Sequence, residues 1–559
     1  MTDGLGLGDV YGGTVERIKA QGGDKSRLGM GALMWISHAE RPLAADELCC
    51  ALAVEPGSAD FNSGNIPSIT TIVGCCQGLI TVDKEGSTVR LIHFTLKEYL
   101  SAHDDIFSRP HSAMAEICLT YLNSQQVKAL SAYSWGNPFL RYCSMYWGVH
   151  AKRDLSDEAI ALALDLLRGY DGHISARLLL QQVENIYFER PGIFFSFSGL
   201  HCASYFGIND VVVALIGAEC CGVNEGDYWG CTPLSWAARK GHNEMVKILL
   251  DLKEVNPDKP DGPGRTPLSY AAQNGHEGVV KILLGSDEVS PDKPDRSGLT
   301  PLSYAAENGH AGVVEILLSL EVVNPDKLSY VGRTPLSYAA QSGHAQVVRI
   351  LLERQEVNPD KPCNDYRRTP LTWASHNGHE GVVKMLLERG DVNPDWPSCY
   401  GQTPLSFAAM CGQEGVVKIL LGLDEVNPDR PSNTGQTPLS YAAENGHARV
   451  VKILLELENV DPDKLCKIHR TPLSWASYNG HEEVVEILLA RDEVNPDKPD
   501  NKGRTPLLHA ARSGHEKVVR ILLQRDEVNA DRPDDDGLTP LAFATSRRHQ
   551  GVVRALLGQ

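Results

Sequence analysis

From residue 232 onward the apolar positions of this chain recur in one fixed order. Leu268, Ala271 and Ala272 fall on one face of a short helix, and small alanines there let a second helix approach closely. After Gly275, the residues Val279, Val280, Ile282, Leu283 and Leu284 make the next helix apolar on more than one side, the pattern of a helix sandwiched between neighbours. Thr-Pro-Leu opens each copy, at Thr232, Thr266, Thr300, Thr334, Thr369, Thr403, Thr437, Thr471, Thr505 and Thr539. The step is 34 residues throughout, except for 35 between Thr334 and Thr369. A degraded eleventh copy lies one period upstream, where Leu200, Cys202 and Ala203 align with Leu234, Trp236 and Ala237. A unit this short cannot bury its own apolar face, so the copies are expected to stack into an elongated solenoid that offers a long surface and no enclosed pocket.

Each copy predicts a helix, a turn, a second helix and an extended finger. Thr266 suits the N-cap and Pro267 the first helical position, where no N–H is required. The phrase Val255 to Pro260, Val-Asn-Pro-Asp-Lys-Pro, contains two prolines and predicts a stiff projecting finger. Framework positions scarcely change between copies, whereas the finger tip just before each Thr changes almost completely. Tips near the ends, such as Asp261–Gly264 and Asp534–Gly537, are small and polar; three consecutive middle tips carry Tyr330, Tyr366 and Tyr400, with Arg367 and Arg368 beside the second and Trp396 near the third. Tyr, Trp and Arg are enriched at binding hot spots, which makes these six residues candidate partner contacts arranged in one row. The competing account is that each tyrosine packs on the neighbouring finger or varies by drift. The one-residue insertion lies in the finger of Tyr366. A second stripe, Trp236, Tyr270, Tyr304, Tyr338, Trp373, Phe407, Tyr441 and Trp475, is expected to serve inter-repeat packing. One turn later, Arg239, Lys240, Gln273, Asn274, Glu307 and Asn308 are expected on the concave side.

These residues resemble the ankyrin repeat, whose pattern is Thr-Pro-Leu-His-x-Ala-Ala, Gly-His and a Val-Val-x-Leu-Leu-Leu helix. Two departures recur and resemble the arrays of filamentous fungi: Ser235 and Ser269 stand where the family has His, and the finger is longer. The resemblance implies partner contacts through the finger tips and the concave face.

The first 190 residues carry no repeat. Apolar patterning predicts helices over Ala32–His38, Pro42–Val54 and Ile66–Cys76, then a hairpin of Leu79–Asp83 and Val89–His93 around Lys84–Thr88. Three helices and a wing suggest a winged helix. DNA reading needs Lys or Arg, yet Asn62 to Ile80 has neither, and Leu28 to Asp105 carries four basic residues against ten acidic. The domain is therefore expected to pack on protein, with a transcriptional adaptor as the weaker alternative.

Leu33–Leu43, Glu47-Leu48, Ala51–Val54, Gly78–Asp83 and Ile92–Thr95 resemble the winged-helix region that follows the NACHT nucleotide-binding domain in fungal receptor-like proteins. Tyr146–Ala151 resembles the Trp-Gly-x-His motif of their helical connector, and Tyr11 with Glu16–Gln21 resembles the end of a NACHT module. The expected order is therefore a NACHT-like tail or linker over 1–27, a winged helix over 28–105, a helical connector over 106–190 and about eleven repeats over 191–559. The fold class is mainly α. The resemblance further implies docking to a NACHT-type module and a sensing role in self/non-self signalling.

No Gly-x-x-x-x-Gly-Lys-Ser/Thr loop occurs; Gly22–Ser26 has Asp24 where glycine is needed and reads as an exposed turn. Histidines such as His242, His276, His310, His344, His379 and His447 come one per repeat, too far apart to share a metal. The fourteen cysteines include the pairs Cys49-Cys50, Cys75-Cys76 and Cys220-Cys221 but no Cys-x-x-Cys spacing for zinc, and they suit buried thiols of a reducing compartment. We expect no catalytic, cofactor or metal site. A net charge of −18 opposes binding to nucleic acid or anionic membranes. With no signal peptide and no spanning apolar run, the expected location is the cytoplasm, the nucleus being left open. The expected function is protein recognition, the alternative being the sensing portion of a nucleotide-driven receptor.

Overall fold

The computed structural model describes residues 7–58, 60–83, 87–130, 138–184, 196–218 and 222–558. Lys84–Gly86 of the hairpin loop and the Cys220-Cys221 pair lie outside them. The chain forms two compact units, Met1–Ala271 with Gly278–Ser290, and Ala272–Glu277 with Pro291–Gln559.

The first unit begins with helices α1 (Leu7–Lys19) and α2 (Gly23–His38). The expected turn at Gly22–Ser26 is corrected: the chain bends over Ala20–Gly22, with Gly22 at φ +71° and Gly23 at φ +54°, and Gly23 already opens α2. Asp24 in its first turn suits the positive end of the helix. Leu28, Ala32, Leu33 and Trp35 are its buried face.

The helix expected over Pro42–Val54 begins later, because Leu43–Ala44 form strand β1 and α3 spans Ala45–Ala53. The Glu47 carboxylate accepts the Ala44 N–H at 2.9 Å and two bonds from Arg41, at 2.7 and 2.5 Å. Helix α4 (Ile69–Cys75) is capped by Ser68, whose Oγ accepts the Thr71 N–H. The hairpin forms as β2 (Ile80–Val82) and β3 (Thr88–Leu91), and β1 adds antiparallel to β3, giving the order β1-β3-β2.

Helix α5 (Phe94–Ala102) leads to α6 (Pro110–Asn123), α7 (Gln125–Lys128), α8 (Pro138–Arg153), α9 (Asp157–Leu167) and α10 (Ile174–Glu184). The degraded copy follows as α11 (Gly199–Phe206) and α12 (Asn209–Gly217). Helix α8 touches α3, α6 and α11. Its Trp147-Gly148 pair faces α11: a Cβ on Gly148 would stand 2.2 Å from the Phe206 ring, so only glycine permits this approach. His150, two residues on, faces the opposite way. Its Nε2 meets the Tyr142 hydroxyl and its Nδ1 meets His111 Nδ1, each at 2.9 Å.

In the second unit each complete copy is a helix pair such as Pro301–Asn308 and Ala311–Leu318. Thr300 Oγ1 accepts the Ser303 N–H at 3.2 Å, and the two hydroxyls pair at 3.1 Å with both residues fully buried. That pairing explains the recurrent serine: two hydroxyls satisfy one another in a dry interior. In the degraded copy a histidine takes the same place. His201 Nδ1 accepts the Ser198 N–H, and burial pushes its pKa down to about 4.

Neighbouring copies are held by three repeated bonds. His344 Nε2–H donates to the Glu307 carbonyl at 3.0 Å, its ring lying against Gly309, where a Cβ would come within 2.5 Å. Gln413 does the same work where histidine is absent, toward the His376 carbonyl. The prolyl phrase proves to be an ion-pair ladder: Lys327 pairs with Asp292, Arg430 with Asp395, Lys464 with Asp429, Lys498 with Asp463 and Arg532 with Asp497, at 2.7–3.1 Å. Finger tips join through one backbone bond per step, such as Tyr330 N–H to the Ser297 carbonyl at 2.9 Å. His344→Ala removes one donor and should cost roughly 1 kcal/mol in urea unfolding; an unchanged midpoint would dismiss the histidine column as a staple.

Candidate partner-binding surface

The tips of the middle fingers are tight turns closed across their base. Ser329 N–H donates to the Arg333 carbonyl at 2.9 Å and Cys363 N–H to the Arg368 carbonyl at 3.0 Å. The second turn holds the extra residue, and Arg367 takes up the strain at φ +53°. Tyr330 is 72% exposed, Tyr400 56% and Tyr366 45%, so all three offer ring surface to solvent. Tyr366 and Tyr400 form a tilted pair with centroids 6.2 Å apart.

Tyr330 does not extend this pair into the expected row of three. Its N–H is the donor in the tip-to-tip bond, whereas Tyr366 and Tyr400 supply the acceptor carbonyls, to Cys399 and Asn433 at 2.9 and 2.8 Å. Tyr330 is thus one residue out of register in an extended ladder, where successive side chains point oppositely.

Arg367 stands 5.9 Å over Trp396. Trp396 occupies the place held by Lys or Arg in the ion-pair ladder, so Asp360 keeps only the Asn393 N–H. Arg368 lies over three rings, Phe407 at 4.4 Å, Trp373 at 4.8 Å and Tyr366 at 5.3 Å. Desolvation lowers its pKa below the ordinary guanidinium value. Arg333, which the sequence reading passed over, lies 3.8 Å over Trp373 and donates to the Gln341 amide oxygen. The residue before each Thr was the signal for it: Arg265, Arg333, Arg368, Arg470 and Arg504 hold five of the ten places in that column.

Most of the second aromatic stripe is fastened to its own finger, whereas the Trp373 and Trp475 Nε1–H groups have no partner. Trp236 Nε1–H donates to Asp227 at 2.9 Å, Tyr304 to Asp295 at 2.6 Å, Tyr338 to Ser329 at 3.1 Å and Tyr441 to Ser432 at 3.0 Å. This stripe is packing and turn support. Of the residues expected on the concave side, Lys240, Asn274 and Asn308 are exposed, and Arg239, Gln273 and Glu307 partly so. Arg239 stacks 5.0 Å over Trp236 and Lys240 lies 4.4 Å over Tyr205. The Asn308 amide donates to the Tyr304 carbonyl, and the Gln273 carbonyl accepts from His310, so part of this column serves the framework.

Among the described residues no group of three or more His, Cys, Asp or Glu is placed to hold a metal. No described helix is long and apolar enough to cross a membrane.

Comparison with known proteins gives two family matches. The model "Ankyrin repeats (3 copies)" matches residues 200–295, 288–363, 355–431, 417–500 and 492–559. The model "GPI inositol-deacylase, winged helix domain" matches residues 17–110. Among solved structures, the human ASB11 ankyrin repeat domain is 28% identical, with 40% of this chain and 97% of that chain covered at a TM-score of 0.37. No curated protein matches.

Proposed function

The chain belongs to the ankyrin-repeat family, and from that premise we propose that it recognises a protein partner through the middle finger tips. Tyr366 and Tyr400 form the centre, with Tyr330, Arg367, Arg368 and Trp396 around them. The observation that carries this reading is the exposed Tyr366–Tyr400 pair beside a stacked arginine. Arg239, Lys240, Gln273, Asn274, Glu307 and Asn308 supply secondary contacts along the concave side. The framework beneath is held from copy to copy by the histidine, ion-pair and tip-to-tip bonds, so these side chains are presented on a rigid support, which limits the ordering cost of binding. No catalytic step, cofactor or membrane enters the proposal. Ten of the twelve described cysteines are buried free thiols, which suits the reducing cytoplasm.

The test is a triple substitution, Tyr330→Ala, Tyr366→Ala and Tyr400→Ala, titrated against a protein crosslinked to the chain in its source cells. A loss of at least about 2 kcal/mol in binding is expected. Unchanged affinity removes the site while leaving the scaffold role.

A second reading is favoured by the winged helix: the chain forms the sensing portion of a nucleotide-driven NACHT-type receptor. In this reading the winged helix docks on the NACHT-type module and α8 links it to the repeats. A native polypeptide larger than this chain, or nucleotide-dependent co-purification with such a module, supports it. Neither being found would leave the chain as a free-standing recognition protein.

A further inference from the structure

The finger-base residue divides the repeats into two kinds. It is aspartate in the first three fingers (Asp227, Asp261, Asp295) and the last two (Asp500, Asp534). In the five between, it is Ser329, Cys363, Ser398, Ser432 and Cys466. Where the aspartate is kept, it pairs with two of the three arginines of that column, while Arg504, between Asp500 and Asp534, has an unpartnered Nε. Arg265 Nε lies 3.2 Å from Asp261 Oδ2 in its own finger, and Arg470 Nε lies 3.8 Å from Asp500 Oδ2 in the next.

Arg333 and Arg368 have neither source. For Arg333 the own-finger and next-finger residues are Ser329 and Cys363; for Arg368 they are Cys363 and Ser398. Among the described residues no carboxylate oxygen comes within 4.0 Å of either guanidinium. Arg333 has the Gln341 amide and the field of Glu307. Arg368 lies among rings and the Cys363 and Cys399 thiols with no acid beside it, and its buried Nε has no hydrogen-bond partner. A guanidinium stacked on aromatic faces keeps its N–H edge free for a planar, bidentate carboxylate.

We propose that the middle repeats bind an acidic protein segment, with an aspartate or glutamate side chain of the partner pairing with Arg368 and reinforced by Arg333. This deepens the proposed finger-tip site and rests on it: the Tyr366–Tyr400 pair receives the residues beside the acid. The complementarity is local, because the chain as a whole carries −18 and repels acidic partners elsewhere. Two or three cations within such a chain match one or two carboxylates; a phosphate backbone needs a longer basic track.

The decisive variant is Ser398→Asp. Ser398 Oγ accepts the Tyr400 and Gln402 N–H groups, each at 3.2 Å, just as Asp295 Oδ1 accepts those of Ser297 and Leu299 at 2.8 and 2.9 Å. An aspartate at 398 therefore keeps the turn and aims its second oxygen at Arg368, as Asp500 does toward Arg470. It supplies from within the carboxylate that the partner would bring. A random peptide library displayed on phage is selected against the full chain, and the peptides obtained are titrated against wild type, Ser398→Asp and Arg368→Gln. Enrichment in Asp and Glu is expected, with affinity lost at least about tenfold in both variants and melting temperature preserved in Ser398→Asp.

Peptides without acidic enrichment, or indifferent to Ser398→Asp, overturn the proposal. A single-stranded oligonucleotide that displaces the peptides and binds more tightly overturns the partner class. Peptides lost on Tyr366→Ala and Tyr400→Ala but not on Ser398→Asp leave the finger-tip site standing without its acidic preference. Peptides indifferent to all these changes remove both.

Discussion

Acidification from neutral pH to about pH 4.5 is expected to destabilise the first unit by several kcal/mol, well ahead of the second. His150 and His201 are both fully buried and stay neutral in the folded chain: desolvation, with neighbouring His111 and Arg153, holds His150 down to about 3, and desolvation holds His201 to about 4. Unfolded, each titrates near 6.5. A folded pKa below the unfolded one means that the unfolded chain binds the extra proton, so stability falls as pH drops below about 6.5 and keeps falling until the folded pKa is reached. At about pH 4.5 that amounts to roughly 2.5 kcal/mol for each of these two rings. His173, also held near 4 by burial, adds in the same direction, as do His38 and His111, whose pKa values are lowered by desolvation.

The second unit responds differently. Burial raises Asp326, Asp360, Asp395, Asp429 and Asp463 above the ordinary carboxylate value. For those groups the folded state binds the proton first, so falling pH adds stability and partly offsets His509 and Asp500, which act in the opposite sense. Calorimetric melts at several pH values, with tryptic mapping of the species that survives, check this. Survival of the first unit alone at low pH would refute it.

Glu47→Ala should cost about 3 kcal/mol, the typical penalty for breaking a buried pair from one side. The Glu47 side chain is 4% exposed and receives three bonds, two from Arg41 and one from the Ala44 N–H. Arg41 also lies 5.3 Å over the Tyr142 ring, so the lost carboxylate leaves a cation held against an aromatic core. The damage is local to the end of β1 and the start of α3, where the chain turns from strand to helix. Glu47→Gln keeps the shape and one acceptor and should fall between Ala and wild type. Urea unfolding followed by near-UV circular dichroism measures both; a loss below about 1 kcal/mol for Glu47→Ala would show that the pair is worth no more than a surface one.

The helices of the repeat array were legible because their signals are redundant: the Thr cap, the Pro after it and the apolar spacing agree in copy after copy. The wing was legible for the same reason, as two alternating runs around a polar loop. Strand β1 was not, since two residues cannot show alternation, and Glu47 reads as an ordinary helix acid until its three donors are seen. The prolyl phrase misled through its prolines. They suggested a finger standing free, yet its Asp and Lys lie opposite their counterparts one copy away, a relation visible only when copies are superposed as neighbours. At the finger tips, composition pointed to Tyr330, Tyr366 and Tyr400 together. Tyr330 follows its finger base by one residue and Tyr400 by two, so Tyr366 and Tyr400 meet while Tyr330 falls out of register. Arg333 and the serines and cysteines that replace aspartate were readable as columns, but their meaning depends on which finger faces which arginine.

The ladder step at Trp396 gives the second unit a division of labour that its repeat count hides. In a line of nearest-neighbour couplings, unfolding propagates until it meets a joint with a different strength. The joint between Asp360 and Trp396 lacks the ion pair that most other steps have. Opening that starts at one end is therefore expected to pause there, so the array would come apart as two blocks and not as one zip. Tyr366 and Tyr400 sit on opposite sides of that joint. A ligand gripping both rings would act as a clasp, and occupancy would be readable as a merging of two melting steps into one.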